Sequence, residues 1–271
     1  MRQRLRLTRY WLSGARNGVS LSELAKVVLA LPVALRGRRH ITSIEEIGDH
    51  RKIGLRTLDE PLYYPRQFSM PSLCVVIAEL LEPAHWHYYE IEETRVKADD
   101  IVADCGAAEG LFSLIVAHRC RRVYAVEPNP RFVAAMQKTF QGVENVEIVP
   151  AALSDEEGEA HLIDSGAASS IDYSGAGIPL KVTTIDDLFR DTPVTYIKAD
   201  LEGYELKVLK GAESAIRTYG PKEAITTYHG RDHASAIEEY LKKINPGYRI
   251  KTKGIEPNFG APVMLHAWID R

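Results

Sequence analysis

The sequence predicts an α/β fold, a mostly parallel sheet with helices on both faces, on the strength of three observations. From residue 101 onward, short apolar runs alternate with helical patterns, as in sheets whose strands are joined by covering helices. The run Ile101–Val102–Ala103 ends on Asp104 and breaks into Gly106 and Gly110 around Glu109 before an apolar helix, LFSLIVAHR (111–119). Such a strand–tight turn–helix unit is where α/β proteins hold nucleotides. A second run, VYAVE (123–127), ends on Glu127, so two acids fall where consecutive strands leave the core.

The remaining elements follow in order. A helical pattern near 130–140 leads to a third strand, VEIVP (146–150). HLID (161–164) and LKVTTI (180–185) are short strands joined by a loop at 165–179 rich in Gly, Ala and Ser, suited to closing over a bound cofactor. VTYIKAD (194–200) is a strand, 205–217 a helix, EAITTYH (223–229) a strand and 233–244 a helix. YRIKTK (248–253) and PVMLHAWID (262–270) close the pattern as a terminal strand pair.

Before residue 95 the reading is of a helical extension, residues 1–94, that covers the substrate side of a domain at 95–271. It has a helix at roughly 71–82 between prolines, and an aromatic, acidic stretch (86–100) running over the domain surface. Residues 21–35 read as a further helix, with Ser20 or Ser22 as cap and a kink at Pro32. Residues 1–40 carry nine Lys/Arg against Glu23, about +8 in a chain of net charge −3. Such an arm suits an anionic membrane surface or an acidic face of the protein itself. Nucleic acid is not expected as a partner, because no basic stripe with interleaved aromatics follows. With no apolar run near the ~20 residues of a membrane span and no secretory signal pattern, the expected place is the cytoplasm, with peripheral contact at the inner membrane face through residues 1–40. Cys74, Cys105 and Cys120 lack metal spacing and read as reduced thiols. Composition does not give the oligomeric state.

The D-x-G-x-x-x-G pattern of Asp104, Gly106 and Gly110 departs from a dinucleotide fingerprint, because Ala108 stands where the glycine that admits a pyrophosphate would be. A cofactor without phosphates needs no such approach. Glu127, 23 residues after Asp104, can accept both hydroxyls of a ribose. Asp104 offers negative charge to a cationic sulfonium, and the helix start near Gly110 offers positive charge to a carboxylate. Together they point to S-adenosylmethionine. Leu153, Ser154 and Asp155 follow the third strand, where Asp155 could accept the adenine amino hydrogen while a backbone N–H reaches a ring nitrogen.

In YIKADLEGYELKVLKGAESAI (196–216), Asp200, Glu202 and Glu205 follow a strand within six positions. Here the chain resembles the FkbM family of S-adenosylmethionine-dependent methyltransferases, from about Asp99 to Gly211, through D-C-G-A-A-E-G, V-E-P-N-P, A-L-S-D and K-A-D-L-E-G-Y-E-L-K-V-L-K-G-A in order. Ala108–Glu109 and Ala199–Asp200–Leu201–Glu202–Gly203 depart from the family's usual residues while keeping its acids and glycines. The resemblance implies a Rossmann-like, seven-stranded methyltransferase sheet with an antiparallel terminal strand. It also implies O-methylation of a sugar, glycan or other natural product, as in polysaccharide biosynthesis. Glu109, Pro128 and Asn129 join the cofactor residues through its motifs.

For the chemistry, His229 ends the fifth strand, where a neutral imidazole can take the acceptor's hydroxyl proton. Asp200 borders both ligands, and Asp200 or Glu202 is the alternative base. His233 competes with His229, and His118 reads as a surface or packing residue. The acids with His229 could instead hold Mg²⁺, but the expectation is of no metal ligands. Two other classes stay open: a nicotinamide-dependent sugar enzyme, disfavoured by Ala108 and the lack of a Tyr-x-x-x-Lys pair, and a non-catalytic scaffold.

Overall fold

A computed structural model describes residues 2–163, the backbone of 170–172, and residues 177–270. The chain opens with helices α1 (Arg2–Leu12) and α2 (Leu21–Leu29). Ser20 caps α2 in a reciprocal pair: Glu23 N–H donates to Ser20 Oγ (3.2 Å) and Ser20 N–H to Glu23 Oε2 (2.8 Å). The kinked helix expected over 21–35 is two helices, because α2 stops at Leu29 and α3 (Val33–Arg38) starts after Pro32. Proline disfavours helical geometry in the residue before it.

The helical extension expected over 1–94 also contains strands. Strands β1 (Ile41–Ile47), β2 (His50–Leu55) and β3 (Leu62–Pro65) form an antiparallel sheet, with a two-residue Gly48–Asp49 turn between the first two. Ile41, Ile44 and Ile47 recur every third residue, a helix-like spacing that conceals a strand from pattern reading. Helix α4 (Met70–Leu81) follows, capped by Ser69. Ile53, Leu62, Leu73 and Ile77 pack in one core with Leu111, Phe112 and Met136 of the following α/β unit. Residues 41–81 therefore share the core of the rest, whereas α1 and α2 pack in a cluster of their own with Trp86 and Ile255.

The α/β unit alternates β4 (Ile101–Cys105), α5 (Leu111–Ala117), β5 (Arg122–Val126), α6 (Pro130–Thr139) and β6 (Val146–Val149). A side sheet in the order β7-β10-β8-β9 follows, formed by β7 (Ala152–Leu153), β8 (Gly158–Ile163), β9 (Ser170–Asp172) and β10 (Ile178–Thr183). After α7 (Ile185–Leu188) come β11 (Tyr196–Ala199), α8 (Glu205–Lys210), α9 (Glu213–Tyr219) and β12 (Lys222–Thr226). The single helix expected at 205–217 is broken at Gly211, where a Cβ would lie 2.1 Å from the Ser154 carbonyl oxygen. Helix α10 (His233–Ile244), β13 (Arg249–Lys253) and β14 (Met264–Trp268) complete the chain.

The main sheet has seven strands in the order β13-β14-β12-β11-β4-β5-β6. Its neighbours pair in parallel except around β14, which is antiparallel to both β12 and β13. The expected sheet, with its antiparallel terminal strand, is therefore present. The period-two alternation of β4 sends Ile101, Ala103 and Cys105 into the core with α8–α10, and Val102 into the core with α5 and the N-terminal elements. Between β4 and β11 the strand order reverses, the position at which open α/β sheets bind ligands.

His266, buried in β14, has Nδ1 3.1 Å from Thr94 Oγ1. Burial, then Lys253 and Lys251, push its pKa from 6.5 down to about 3. The unfolded chain therefore binds a proton that the fold rejects. The stability gained from a neutral His266 is present above pH 6.5 and falls as pH drops from 6.5 towards 3. Denaturant unfolding at pH 7.5 and 5 should show His266→Asn losing less stability on acidification than the parent. Equal losses would contradict this assignment.

Candidate active site

The site forms at the carboxyl ends of β4 and β11. Gly106 turns the chain at φ +75°, and a Cβ there would lie 2.1 Å from the Asp200 carbonyl oxygen, so only glycine lets the two strand ends meet. The Gly106 and Ala107 N–H groups both donate to Val126 O at 3.0 Å, and Asp200 N–H donates to Cys105 O at 3.1 Å. Backbone contacts thus tie the ends of three neighbouring strands together.

Asp104 does not face a ligand, contrary to its expected role beside a sulfonium. Its fully buried carboxylate accepts from Ser113 Oγ (2.7 Å) and pairs with Lys198 Nζ (3.0 Å), which also donates to Gly106 O (2.6 Å). Burial presses the Lys198 pKa down, but Asp104 and Asp200 more than offset it, so the ammonium stays charged. Asp104 therefore holds Lys198, and Lys198 is the member of the pair that lines the cavity.

That cavity, about 240 Å³, is bordered by Gly106, Ala107, Ala108, Glu109, Glu127, Pro128, Asp200, Leu201 and Glu202. Glu127 sits at the end of β5, where Oε2 accepts from Ala108 N–H (2.9 Å) and Oε1 from Asn129 N–H (2.8 Å). Burial outweighs these bonds and raises its carboxyl to about 7; burial does the same to Glu109. Asn129 caps α6, its Oδ1 accepting from Arg131 N–H (3.0 Å). Its side chain thus stabilises a helix rather than lining the cavity. Gly110, at φ +81°, opens α5 and also lies off the lining.

A second cavity, about 40 Å³, shares Gly106, Pro128, Leu201 and Tyr204 with the first and adds Leu153. Ser154 and Asp155 do not line it. Ser154 N–H is taken by Thr183 O (3.0 Å), and Ser154 Oγ donates to the exposed Asp155 at Oδ1 (3.0 Å). Of the three residues Leu153 alone borders the cavity, and Asp155, expected beside an adenine, lies exposed outside its lining. Most of the expected lid, 165–179, lies outside the described residues.

At the other end of the cavity, Asp200 accepts from Tyr89 OH (2.6 Å) and Thr226 Oγ1 (3.1 Å), with His87 Nε2 3.7 Å away. Burial raises its carboxyl, but His87, Lys198 and Tyr89 outweigh burial and hold it below the ordinary value. Glu202, in left-handed backbone at φ 53°, also lines the cavity. His229 does not line it. Its Nδ1 is 3.0 Å from Glu205 Oε1 and its Nε2 3.5 Å from Glu202 Oε2. Burial lowers its pKa, but these carboxylates raise it to about 10. An imidazolium cannot accept a proton, so the expected neutral base at His229 is not what this arrangement provides. His233 lies 3.5 Å from Glu205 Oε2, and burial lowers its pKa. His118 is exposed and pairs with Glu60 at 2.9 Å, as expected of a surface residue.

Glu79, His87, Tyr89 and Tyr228 also line the cavity and were missed in the sequence. His87 and Tyr89 belong to the stretch expected on the surface. Their ring contacts, His87–Tyr89 at 5.2 Å and Tyr89–Phe112 at 5.5 Å, bury them. The density of aromatics in WHYY (86–89) is the signal that could have found them.

Removing Lys198 leaves Asp104 charged and without its cation. Lys198→Met should cost about 3–5 kcal/mol of stability, the worth of breaking a buried pair from one side, and Asp104→Asn in the same chain should restore part of it. Urea unfolding of both variants checks this; a Lys198→Met protein as stable as the parent would contradict it.

A family model of the methyltransferase FkbM domain matches residues 104–250. Among solved structures, a methyltransferase FkbM from Methylobacillus flagellatus KT aligns at 20% identity and a TM-score of 0.52, over 93% of this chain and 63% of that one. The chain thus spans less than two thirds of that relative's length. An rRNA methylase from Streptococcus thermophilus aligns at 15% identity and a TM-score of 0.43, over 65% of this chain and 90% of that one. The precorrin-6y C5,15-methyltransferase of Geobacter metallireducens GS-15 aligns at 15% and 0.42, over 66% and 84%. At these identities the likeness that counts is the first, and it is one of fold. No curated protein matches the sequence.

Proposed function

The chain belongs to the FkbM methyltransferase family, and on that premise we propose that it transfers a methyl group from S-adenosylmethionine to a hydroxyl oxygen of a sugar, glycan or other natural product. The observation that carries the reading is Glu127, a buried strand-end carboxylate on the cavity wall whose position is fixed by two backbone N–H groups. Each of its oxygens keeps a lone pair for a ribose hydroxyl. The Ala108 N–H that a pyrophosphate would need already serves Glu127. On the same wall Asp200 is held below the ordinary carboxylate value, and its negative charge disfavours phosphates. These features support a cationic, phosphate-free cofactor over a nicotinamide dinucleotide. When bound, that cofactor supplies a methyl already activated on a sulfonium.

The residues of the chain bind, orient and move a proton. Glu127 holds the ribose, while Leu153 and Pro128 border the smaller cavity on the adenine side. Asp200, fixed by Tyr89 and Thr226, lies 3.7 Å from His87 Nε2, and His87 Nδ1 on the cavity wall is buried and without a hydrogen-bond partner. In this reading Nδ1 takes the hydroxyl proton of the acceptor. His229 steadies Glu202 and Glu205 instead.

Loss of Glu127 should be read most directly by calorimetry. Glu127→Ala should weaken S-adenosylhomocysteine binding about tenfold to a hundredfold, the equivalent of roughly 1.5–3 kcal/mol. Unchanged affinity in a folded variant would remove the ribose assignment. On any hydroxyl acceptor that is turned over, His87→Ala should lower kcat ~10²–10⁴-fold with little change in S-adenosylhomocysteine affinity. Full turnover by that variant would exclude His87 as the base.

The N-terminal arm supports a cytoplasmic enzyme held at the inner membrane face. No described helix is long and apolar enough to cross a membrane. Leu7, Val19 and Leu24 pack on Trp86 and Ile255, and Tyr10 OH donates to Asn258 O (2.8 Å), so the arm is docked on the domain. Leu5, Leu12, Leu21, Leu29, Leu31 and Leu35 remain exposed on it beside its arginines. An acceptor carried on a lipid would suit such a surface, each Lys or Arg adding ~1 kcal/mol near anionic lipid. Flotation with phosphatidylserine vesicles at low salt should carry the parent up and leave a Leu12→Glu/Leu29→Glu variant behind. A parent that stays in solution contradicts the membrane contact.

A further inference from the structure

Glu205 begins α8, His233 begins α10, and His229 lies in the turn that follows β12. These three side chains bring one ligating atom each to within 4.8 Å of one another. Glu205 is fully buried; its Oε1 accepts from Leu201 N–H (2.9 Å) and Gly203 N–H (3.3 Å) and lies 3.1 Å from Thr226 Oγ1. Its Oε2, with no hydrogen-bond partner, lies 3.5 Å from His233 Nε2, while His229 Nδ1 is 3.0 Å from Oε1. Ligands bonded to one ion at about 2.1 Å with angles of 90–110° stand roughly 3.0–3.4 Å apart; the imidazoles lie 3.0 and 3.5 Å from the two oxygens of Glu205, and small side-chain rotations would bring the three ligating atoms, now within 4.8 Å, onto one ion. We propose that Glu205, His229 and His233 form a binding site for a divalent first-row transition-metal ion.

A second observation comes from the far side of His229. Metal-bound imidazoles commonly donate their other N–H to a carboxylate, which fixes the tautomer, and His229 Nε2 faces Glu202 Oε2 at 3.5 Å. The donor set decides the class of ion. Two imidazoles and one carboxylate suit zinc, cobalt, manganese or iron, whereas magnesium and calcium take oxygen ligands. Mg²⁺, considered from the acids alone, is therefore not what this set selects. Each imidazole keeps 11% of its side-chain surface exposed, while both His229 ring nitrogens are buried. The site touches the cavity through Glu202 and through Thr226, whose hydroxyl lies 3.1 Å from both Asp200 and Glu205. It stands independently of the methyl-transfer reading.

Full-length protein stripped with a chelator and titrated with Co²⁺ at fixed pH tests the proposal, read by calorimetry and by the visible spectrum of the ion. One equivalent should bind. His233→Ala should abolish that binding, and Glu202→Gln should weaken it about tenfold to a hundredfold, as loss of an outer-shell partner does. His233→Cys should bind with an added thiolate-to-cobalt absorption band, which a structural role for His233 would not produce. His118→Ala, remote from the cluster, should bind like the parent. No saturable binding by the folded parent, equal binding by His233→Ala, or preference for Mg²⁺ over Co²⁺ would each overturn the site.

Discussion

Lys198 and Asp104 are register partners on the adjacent strands β11 and β4, and their charges meet at a buried point behind the cavity wall. Everything at the carboxyl edge of the sheet depends on that pair. Lys198 also caps the Gly106 carbonyl, and Gly106 in turn permits the approach of Asp200 from the neighbouring strand. A buried pair is weak evidence of stability on its own, since desolvation offsets much of the attraction. What it provides here is position: one ammonium fixes the β4 turn and faces the cavity that the turn creates.

The electrostatics of the cavity follow from the same arrangement. With Asp104 neutralised behind the wall, the acids that remain on the wall set its character. Glu109 and Glu127 are raised to about 7 by burial, whereas Asp200 is held ionised by His87, Lys198 and Tyr89 against burial. Carboxylates that differ this much in their surroundings can take different roles in one site. The N-terminal segment is part of this design, because His87 and Tyr89 come from it and are buried against Tyr228 and Phe112.

What was legible in the sequence is what local spacing determines. Asp104, Gly106, Glu127 and Asp200 could be placed because they follow short apolar runs in βα units, and the mostly parallel sheet follows from that alternation, whereas its seven strands and antiparallel end came from the family resemblance. Long-range pairing was hidden. Nothing near Asp104 in the chain announces Lys198, 94 residues away, as its partner. The position of His229 was readable from its strand, but its charge was not, since that depends on Glu202 and Glu205 folding back on it. Asp155 could be placed after the third strand, but not its exposure outside the cavity lining, where it accepts from Ser154 Oγ. The β1–β3 sheet was lost to an isoleucine spacing that imitates a helix.

The central claim is that this cavity takes a ribose-bearing sulfonium cofactor and excludes phosphates. Calorimetric titration of the full-length protein with S-adenosylhomocysteine and, separately, with NAD and NADP tests it most directly. The account predicts saturable binding of the first and none of the dinucleotides. Binding of NAD or NADP as tight as that of S-adenosylhomocysteine would contradict it.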